Sequence, residues 1–349
     1  MSYRIEKDPL GEKQVPASAL YGIQTLRAVE NFPISGLKPL PAFVDAVVGI
    51  KRSAAVTHKQ TGRLDAKLAD AIVAAADEVL GGQHRDQFVV DVYQAGAGTS
   101  HNMNCNEVLA NRANEILGGA RGSYQPVHPN DHVNMAQSTN DVIPTAMRLA
   151  TLASLPALLE SMAGLAATFM KKGVEFDHVM KSGRTHLQDA TPIRLGQEFA
   201  AYGRTVERHH RKIAEAARWL RPMNIGGTAV GTGLNAEEAY PGLMVEHLRA
   251  LTGLDLEVAE DRIQLMQSMG DIATVSGAIR AYTLDLNKIA NDIRLLASGP
   301  RTGLAEILLP AVQPGSSIMP GKVNPSIAEM VNQVCYQVIG LDTTVAMAA

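Results

Sequence analysis

The residues best suited to chemistry lie together in one segment near the end of the chain, residues 315–325. The segment reads GSSIMPGKVNP, so it combines the hydroxyls of Ser316 and Ser317, the ammonium of Lys322 and the amide of Asn324. Two glycines and two prolines are incompatible with a regular helix or strand, which predicts a shaped loop. A lysine and an amide can bind a carboxylate, with the hydroxyls near backbone N–H donors. This interpretation is favoured over a surface loop with a solvated lysine.

Two more polar clusters precede predicted helices. Residues 98–102, GTSHN, put Thr99 at a helix start, where free N–H groups and hydroxyls favour an anion, although Thr99 could simply cap the helix. Residues 183–189, GRTHLQD, put His186 beside Thr185 at the predicted entrance of another helix. The imidazole could act as an acid, a base or a carboxylate ligand. A lone histidine is more often structural, but the grouping of polar clusters at helix ends favours a function.

A fourth cluster, QSTND at residues 137–141, also leads into a predicted helix. Ser138 and Asp141 have capping-box spacing, which explains these two residues without any ligand. Thr139 and Asn140 are left unexplained. Together with the helix dipole, the hydroxyls at this N-terminus would favour a bound carboxylate.

Long helices are predicted to position these clusters. Apolar residues recur in alternating steps of three and four through 272–296 and through 195–220, which is typical of a heptad seam. Residues 142–170 form a third long helical segment, in which Pro156 predicts a kink. Helices of this length are expected to pack lengthwise in a bundle that continues across subunits of a homo-oligomer, with a monomeric bundle as the alternative.

The first third of the chain is less regular. Prolines and glycines among mixed charges predict that residues 1–40 are an extended arm with turns and no packed core. Residues 42–60 and 64–80 indicate a helical hairpin. The glycine-rich stretch 226–233 lacks the strand and helix context of a dinucleotide site, so a structured turn is predicted.

Composition excludes several classes of function. Hydrophobic residues make up 46% of the chain and aromatic residues only 4%, which favours an Ala, Leu, Ile, Val and Met helical core. A net charge of −3 gives no reason to expect a nucleic-acid or membrane partner. The two cysteines lie far apart in sequence, and no ligand set has metal-site spacing. We therefore expect a soluble, cytoplasmic protein without a metal.

The motifs together resemble those of the aspartase/fumarase superfamily. The loop at 315–325 matches its signature segment, and GAGTS at 96–100, QSTND at 137–141 and GRTHLQ at 183–188 match its other regions in order. The resemblance extends from about residue 4 to the last residue.

Within the superfamily, the sequence is more similar to aspartases than to class II fumarases. YGIQT at 21–25, DQFVVD at 86–91 and the STND form of the second motif resemble aspartases. HPND at 128–131 and DATP at 189–192 are closer to fumarases. The resemblance therefore implies reversible deamination of L-aspartate to fumarate and ammonia without a cofactor, with fumarate hydration as the alternative.

The resemblance also implies an architecture. The fold is expected to be all-α, with an N-terminal, mostly helical domain at 1–138 and a long bundle domain at 139–349. The bundle is expected to be incomplete, and the small C-terminal domain of the family to be absent. Four subunits would form a homotetramer with active sites between subunits. A second alternative, of another class, is therefore a truncated helical scaffold that binds dicarboxylates without catalysis.

Residue roles follow from the same resemblance. Ser316 is similar to the catalytic base on a closing loop, and His186 and Asn140 would lie by the substrate amino group. The ligands of the α-carboxylate would be Thr185, Lys322 and Asn324. The ligands of the β-carboxylate would be Thr99, Ser138, Thr139 and Ser317.

Overall fold

The computed structural model describes residues 2–349, in which helices predominate. The helices are α1 (Ile23–Asn31), α2 (Pro41–Gln60), α3 (Ala66–Leu80), α4 (Thr99–Ile116), α5 (Thr139–Glu175), α6 (Leu195–Ala217), α7 (Tyr240–Thr252), α8 (Arg262–Gln267), α9 (Gly270–Leu296) and α10 (Ser326–Ala348). The strands are β1 (Tyr3–Asp8), β2 (Gly11–Pro16), β3 (Met180–Thr185), β4 (Gln188–Arg194), β5 (Pro222–Met223) and β6 (Glu257–Val258). The strands are short and form three two-stranded sheets beside the predominant helices. The predicted all-α fold class is therefore confirmed.

The chain divides into two compact units. The first contains the residues up to Leu155 together with Leu220–Met269, and the second contains Pro156–Trp219 and Gly270–Ala349. The predicted domains, 1–138 and 139–349, remain a prediction.

The core of the first unit is formed by α2, α3, α4 and α7. The predicted hairpin of α2 and α3 is confirmed, because Val47 and Ile72 are fully buried where the two helices pack. Small Ala and Val side chains dominate this core, as the composition indicates.

The prediction for residues 1–40 is partly wrong. β1 and β2 form an antiparallel hairpin, α1 follows, and Val15 and Ile23 are buried in a small core of their own. Helix α1 has no side-chain cap of its own, since Gly22 precedes it. The carboxylate of Glu107 on α4 accepts the N–H groups of Gly22 and Gln24 instead, both at 2.9 Å.

The second unit confirms the predicted heptad seams. In α6 the seam residues from Leu195 through Tyr202 and Val206 to Ile213 are all buried. In α9 every second seam position is buried, as at Val275, and the positions between them are half-buried. Helix α9 packs against both α6 and α10.

Helix α5 is long and apolar. By length and composition alone it could cross a membrane, with a mean hydropathy of 1.5 over its most apolar 18 residues. A core helix of a soluble protein satisfies the same criterion. Its first turn carries Asn140 and Asp141, and Asp141 is fully buried within the protein.

Candidate functional site

Two helix starts in the first unit carry the hydroxyls of Thr99 and Thr139. The side-chain amide of Asn102 on α4 donates to Oγ1 of Thr139 at 3.3 Å. Gly98, just before α4, has a φ of 82°, and a Cβ there would lie 3.0 Å from Cγ1 of Ile143 on α5. The start of α4 therefore packs closely on α5. Two adjoining helix N-termini with hydroxyls are suited to an anion.

The segment before α5 has the predicted cap. The backbone N–H of Ser138 donates to Asp141 at 2.9 Å, and Oγ of Ser138 accepts from the N–H of Asn140 at 3.2 Å. The other oxygen of Asp141 accepts from the N–H groups of Gly226 (3.1 Å) and Thr228 (2.9 Å). These donors lower the pKa of Asp141, but burial outweighs them and raises that pKa to about 6. The glycine-rich turn is thus tied to the start of α5.

A buried lysine lies behind this segment. Lys51 of α2 is fully buried, and its ammonium donates to Oδ1 of Asn134 at 2.7 Å and to Oε1 of Gln137 at 2.9 Å. Burial lowers the pKa of the Lys51 ammonium to about 8. Burial, and secondly the charge of Lys51, lower the pKa of His101 to about 4, so that imidazole is neutral.

The predicted helix entrance at 183–189 is wrong, because this segment is the turn of the β3–β4 hairpin. Thr185 pairs with Gln188, and the two residues between them, His186 and Leu187, have φ values of 54° and 62°. Two left-handed residues make the tight turn whose twist matches that of the strands. Thr185 and His186 are therefore exposed at the tip of the hairpin rather than at a helix end.

Ion pairs hold strand β3 of this hairpin. The ammonium of Lys181 on β3 lies 2.8 Å from a carboxylate oxygen of Glu198 on α6 and 2.7 Å from one of Glu306. Arg184, also on β3, pairs with Glu306 as well. Desolvation raises the pKa of Glu306, but hydrogen bonds from Arg184 and Lys181 outweigh it and the pKa is lowered. Four charges thus fix the strand that leads to Thr185.

The loop at 315–325 closes on itself. The N–H of Gly315 donates to the carbonyl of Lys322 at 3.0 Å, and the side-chain amide of Asn324 donates to the carbonyl of Gly315 at 2.8 Å. Oγ of Ser316 accepts two backbone N–H groups, from two and three residues further along, both at 3.2 Å. Ser316 is half-buried, whereas Ser317 and the Lys322 side chain are exposed. The predicted shaped loop is confirmed.

The predicted site residues are divided between the two units. The first unit carries Thr99, Ser138, Thr139 and Asn140. The second carries Thr185, His186, Ser316, Ser317, Lys322 and Asn324. Within the second unit, no hydrogen bond of the described residues joins the hairpin tip to the serine loop.

Comparison with known proteins identifies the family. The profile of a family described as Lyase matches residues 11–340. The aspartate ammonia-lyase of Bacillus subtilis (strain 168) is 53% identical over 347 residues, which is 99% of this chain and 73% of that protein. The chain belongs to this lyase family. The resemblance to the aspartase/fumarase superfamily is thereby confirmed.

Solved structures of lyases have the same fold. The fumarate lyase:delta crystallin from Brucella melitensis, bound to cobalt, has a TM-score of 0.96 and 52% identity, covering 99% of this chain and 75% of that one. The recombinant class II fumarase from Schistosoma mansoni has a TM-score of 0.96 and 39% identity, covering 99% and 76%. The fold is thus common to both branches, and the sequence is nearer to the aspartase.

Local sequence patterns do not reveal several residues that contact the candidate site segments. Lys51 was not identified, although a lysine directly after the apolar run from Val47 to Ile50 is a signal of a buried charge. The ion pairs of Lys181 and Glu306 connect residues too far apart for any local pattern to reveal. Among residues 2–349, no group of three His, Cys, Asp or Glu side chains is arranged to hold a metal.

Proposed function

We propose that this chain catalyses the reversible deamination of L-aspartate to fumarate and ammonia. The observation that carries the proposal is the environment of Ser316, whose Oγ faces two backbone N–H donors in a loop that also bears Lys322. The 53% identity to an aspartate ammonia-lyase supports the choice of substrate. The substrate is a small dicarboxylate.

Ser316 would act as the base. An ordinary serine hydroxyl is a poor base, but N–H donors directed at Oγ stabilise the alkoxide and lower the pKa of the hydroxyl. Closure of the exposed loop over the substrate would strengthen this effect by excluding water. The alkoxide would then remove a proton from Cβ of aspartate.

Proton removal places negative charge on the β-carboxylate, which becomes an aci-carboxylate dianion. This charge development makes up most of the barrier, so preorganised donors are the main catalytic device. The electron pair then forms the double bond as the C–N bond breaks, and the amine leaves as ammonia. We assign the β-carboxylate to the hydroxyls of Thr99, Ser138, Thr139 and Ser317.

The remaining residues would hold the other end of the substrate. We assign the α-carboxylate to Lys322, Asn324 and Thr185, because a lysine and neutral donors suit a carboxylate that keeps its charge throughout. Asn140 and His186 would lie by the amino group, with His186 available to exchange a proton.

We also propose a homotetramer with active sites shared between subunits. Helix α10 supports an oligomer, since it exposes Ile327, Met330, Val334 and Leu341 along its length. We further propose a cytoplasmic location, as the composition suggests. Sedimentation velocity gives the oligomeric state directly.

Fumarate hydration is the second candidate. HPND at 128–131 and the 39% identity to a class II fumarase favour it. Incubation with L-aspartate and with L-malate in separate reactions, followed by the ultraviolet absorbance of fumarate, distinguishes the two. Turnover of malate alone would contradict the proposal. A chain that binds succinate but converts neither substrate would be the non-catalytic scaffold.

Ser316→Ala tests the base. We expect turnover to fall by at least about a thousandfold while succinate binding changes little, since the hydroxyl acts on the reaction rather than on the ground state. Ser161→Ala is the matched control, because Ser161 is an exposed serine on α5. Near-normal turnover by Ser316→Ala would show that another group is the base.

A further inference from the structure

Lys51 is an unusual charge in the first unit. Its side chain is fully buried in the middle of α2, and both of its hydrogen-bond partners are neutral amide oxygens, those of Asn134 and Gln137. Burying an ammonium without a contacting carboxylate is costly, so this arrangement needs a compensating role.

The ammonium organises the segment that precedes Ser138. Asn134 donates from its amide nitrogen to the carbonyl of Gln137 at 3.2 Å, and the amide of Gln137 donates to the carbonyls of Val133 (3.0 Å) and Met135 (3.2 Å). The side-chain oxygens of Asn134 and Gln137 both accept hydrogen bonds from the Lys51 ammonium. Lys51 therefore helps to fix the path of the backbone into Ser138, together with Asp141, which accepts the N–H of Ser138.

A hydrogen-bonded chain also joins the ammonium to a predicted substrate ligand. Oδ1 of Asn134 accepts from Lys51 and from Nδ2 of Asn102, and the same nitrogen of Asn102 donates to Oγ1 of Thr139 at 3.3 Å. The orientation of the Thr139 hydroxyl is thus linked to Lys51 through two side chains.

We propose that Lys51 is a positioning residue of the dicarboxylate site: its ammonium fixes the segment at Ser138 and Thr139, and its charge favours an anion bound there. The inference rests on the proposed function. Because the aci-carboxylate carries more negative charge than the substrate, the charge of Lys51 would favour the transition state more than the ground state.

Three titratable groups act on Lys51 or are acted on by it, and one of them, Asp141, is charged near neutral pH. Cys105 on α4 is a neutral thiol, because burial raises its pKa to about 12. His101 on the same helix is neutral at physiological pH, as described above. Asp141 on α5 acts on Lys51 through space, and with a pKa of about 6 it is mostly ionised from roughly pH 7 to 9.5 in the wild type, so the titration expected over that range is that of Lys51.

Substitution of Lys51 tests the proposal in the full chain. Lys51→Met keeps the length of the side chain without its charge, and Lys51→Arg keeps the charge. Lys59→Met is the matched control, since Lys59 is on the same helix but pairs with Asp70 at the surface. The readouts are the succinate dissociation constant across pH by calorimetry, and kcat and KM for aspartate.

In the wild-type chain, succinate affinity is expected to fall by about tenfold as pH rises from roughly 7 to 9.5, since the Lys51 ammonium loses its proton near pH 8. Lys51→Met is expected to bind about tenfold more weakly at pH 7 and to lose this pH dependence, with kcat also reduced. Lys51→Arg should keep most of the affinity and also lose the pH dependence. Lys59→Met should match the wild type.

The inference would be overturned if Lys51→Met bound succinate with the affinity and the pH dependence of the wild type. It would also be overturned if a folded Lys51→Arg bound succinate as weakly as Lys51→Met. If Lys51→Met does not fold, Lys51→Arg still decides: a folded Lys51→Arg with an affinity close to that of the wild type supports the inference, and one that binds about tenfold more weakly at pH 7 overturns it. Failure of the function is distinguishable: a wild-type chain that binds succinate with the expected profile but does not convert aspartate supports the role of Lys51 and contradicts the lyase.

Discussion

Lys181→Met is expected to destabilise the second unit far more than an ordinary surface substitution. The side chain of Lys181 is only 8% exposed, and its ammonium separates the carboxylates of Glu198 and Glu306. Since both acidic oxygens lie within 2.8 Å of the same nitrogen, they are at most about 5.6 Å apart. At an effective dielectric constant near 20, two unit charges at that distance repel by about 3 kcal/mol. Arg184 still neutralises part of this repulsion, so we expect a loss of about 1–3 kcal/mol.

Chemical denaturation in urea measures the loss, and three comparisons identify its cause. Lys172→Met is the control, because Lys172 forms an exposed pair with Glu175 and should cost less than about 0.5 kcal/mol. Adding Glu198→Gln to Lys181→Met should restore about half of the stability or more, since the repulsion is then removed. About 1 M salt should partly rescue the single variant by screening.

The result should extend to catalysis. A looser β3 would let Thr185 and His186 move, so KM for aspartate is expected to rise several-fold in Lys181→Met and to recover in the double variant. A loss no greater than that of Lys172→Met, or a double variant less stable than Lys181→Met, would refute the charge argument. The stability of the hairpin would then depend on packing alone.

Two further predictions concern the first unit. Arg112 holds the pKa of Glu78 down to about 2. Above pH 4.5 the wild type should therefore exceed Arg112→Ala in unfolding free energy by about 1–3 kcal/mol, and this difference should disappear as the pH falls through 2, as measured by thermal denaturation. A pH-independent difference would contradict this origin. Gly98→Ala should cost about 1–3 kcal/mol and lower kcat/KM, because its Cβ would press on Ile143. Gly118→Ala is the control, because Gly118 has nearly the same φ, 83°, with open space around its Cβ position. Equal losses of stability in the two variants would show that backbone strain alone, and not contact with Ile143, is the cause.

Regular periodicity made much of the fold predictable. The alternating steps of three and four predict the seam of α6, because side chains such as Val206 and Ile213 recur on one face wherever the helix is straight. Helices α2 and α3 were also predicted, and in the structure Asp65 caps α3 by accepting two backbone N–H groups. These features depend only on neighbours within a few turns of the chain.

What was missed depends on distant partners. Helix α1 is stabilised at its start by Glu107, more than 80 residues away, so its own sequence lacks a capping residue. The β3–β4 hairpin has His186 and Leu187 in its turn instead of the usual Asn and Gly, and its strands show no clear alternation. Tertiary contacts override local preference at both places.

The two groups of proposed site residues differ in how firmly they are held, and the chemistry explains the difference. Thr139 and Ser138 belong to a half-buried hydrogen-bonded network, in which Asn102 and Asp141 hold them before a substrate arrives. Donors that stabilise developing charge must not reorganise during the reaction. Ser316 and Lys322 lie instead on an exposed loop held by a few hydrogen bonds to itself. A base must exchange its proton with solvent after each turnover, and the substrate must enter beside it, so a loop that opens suits that role.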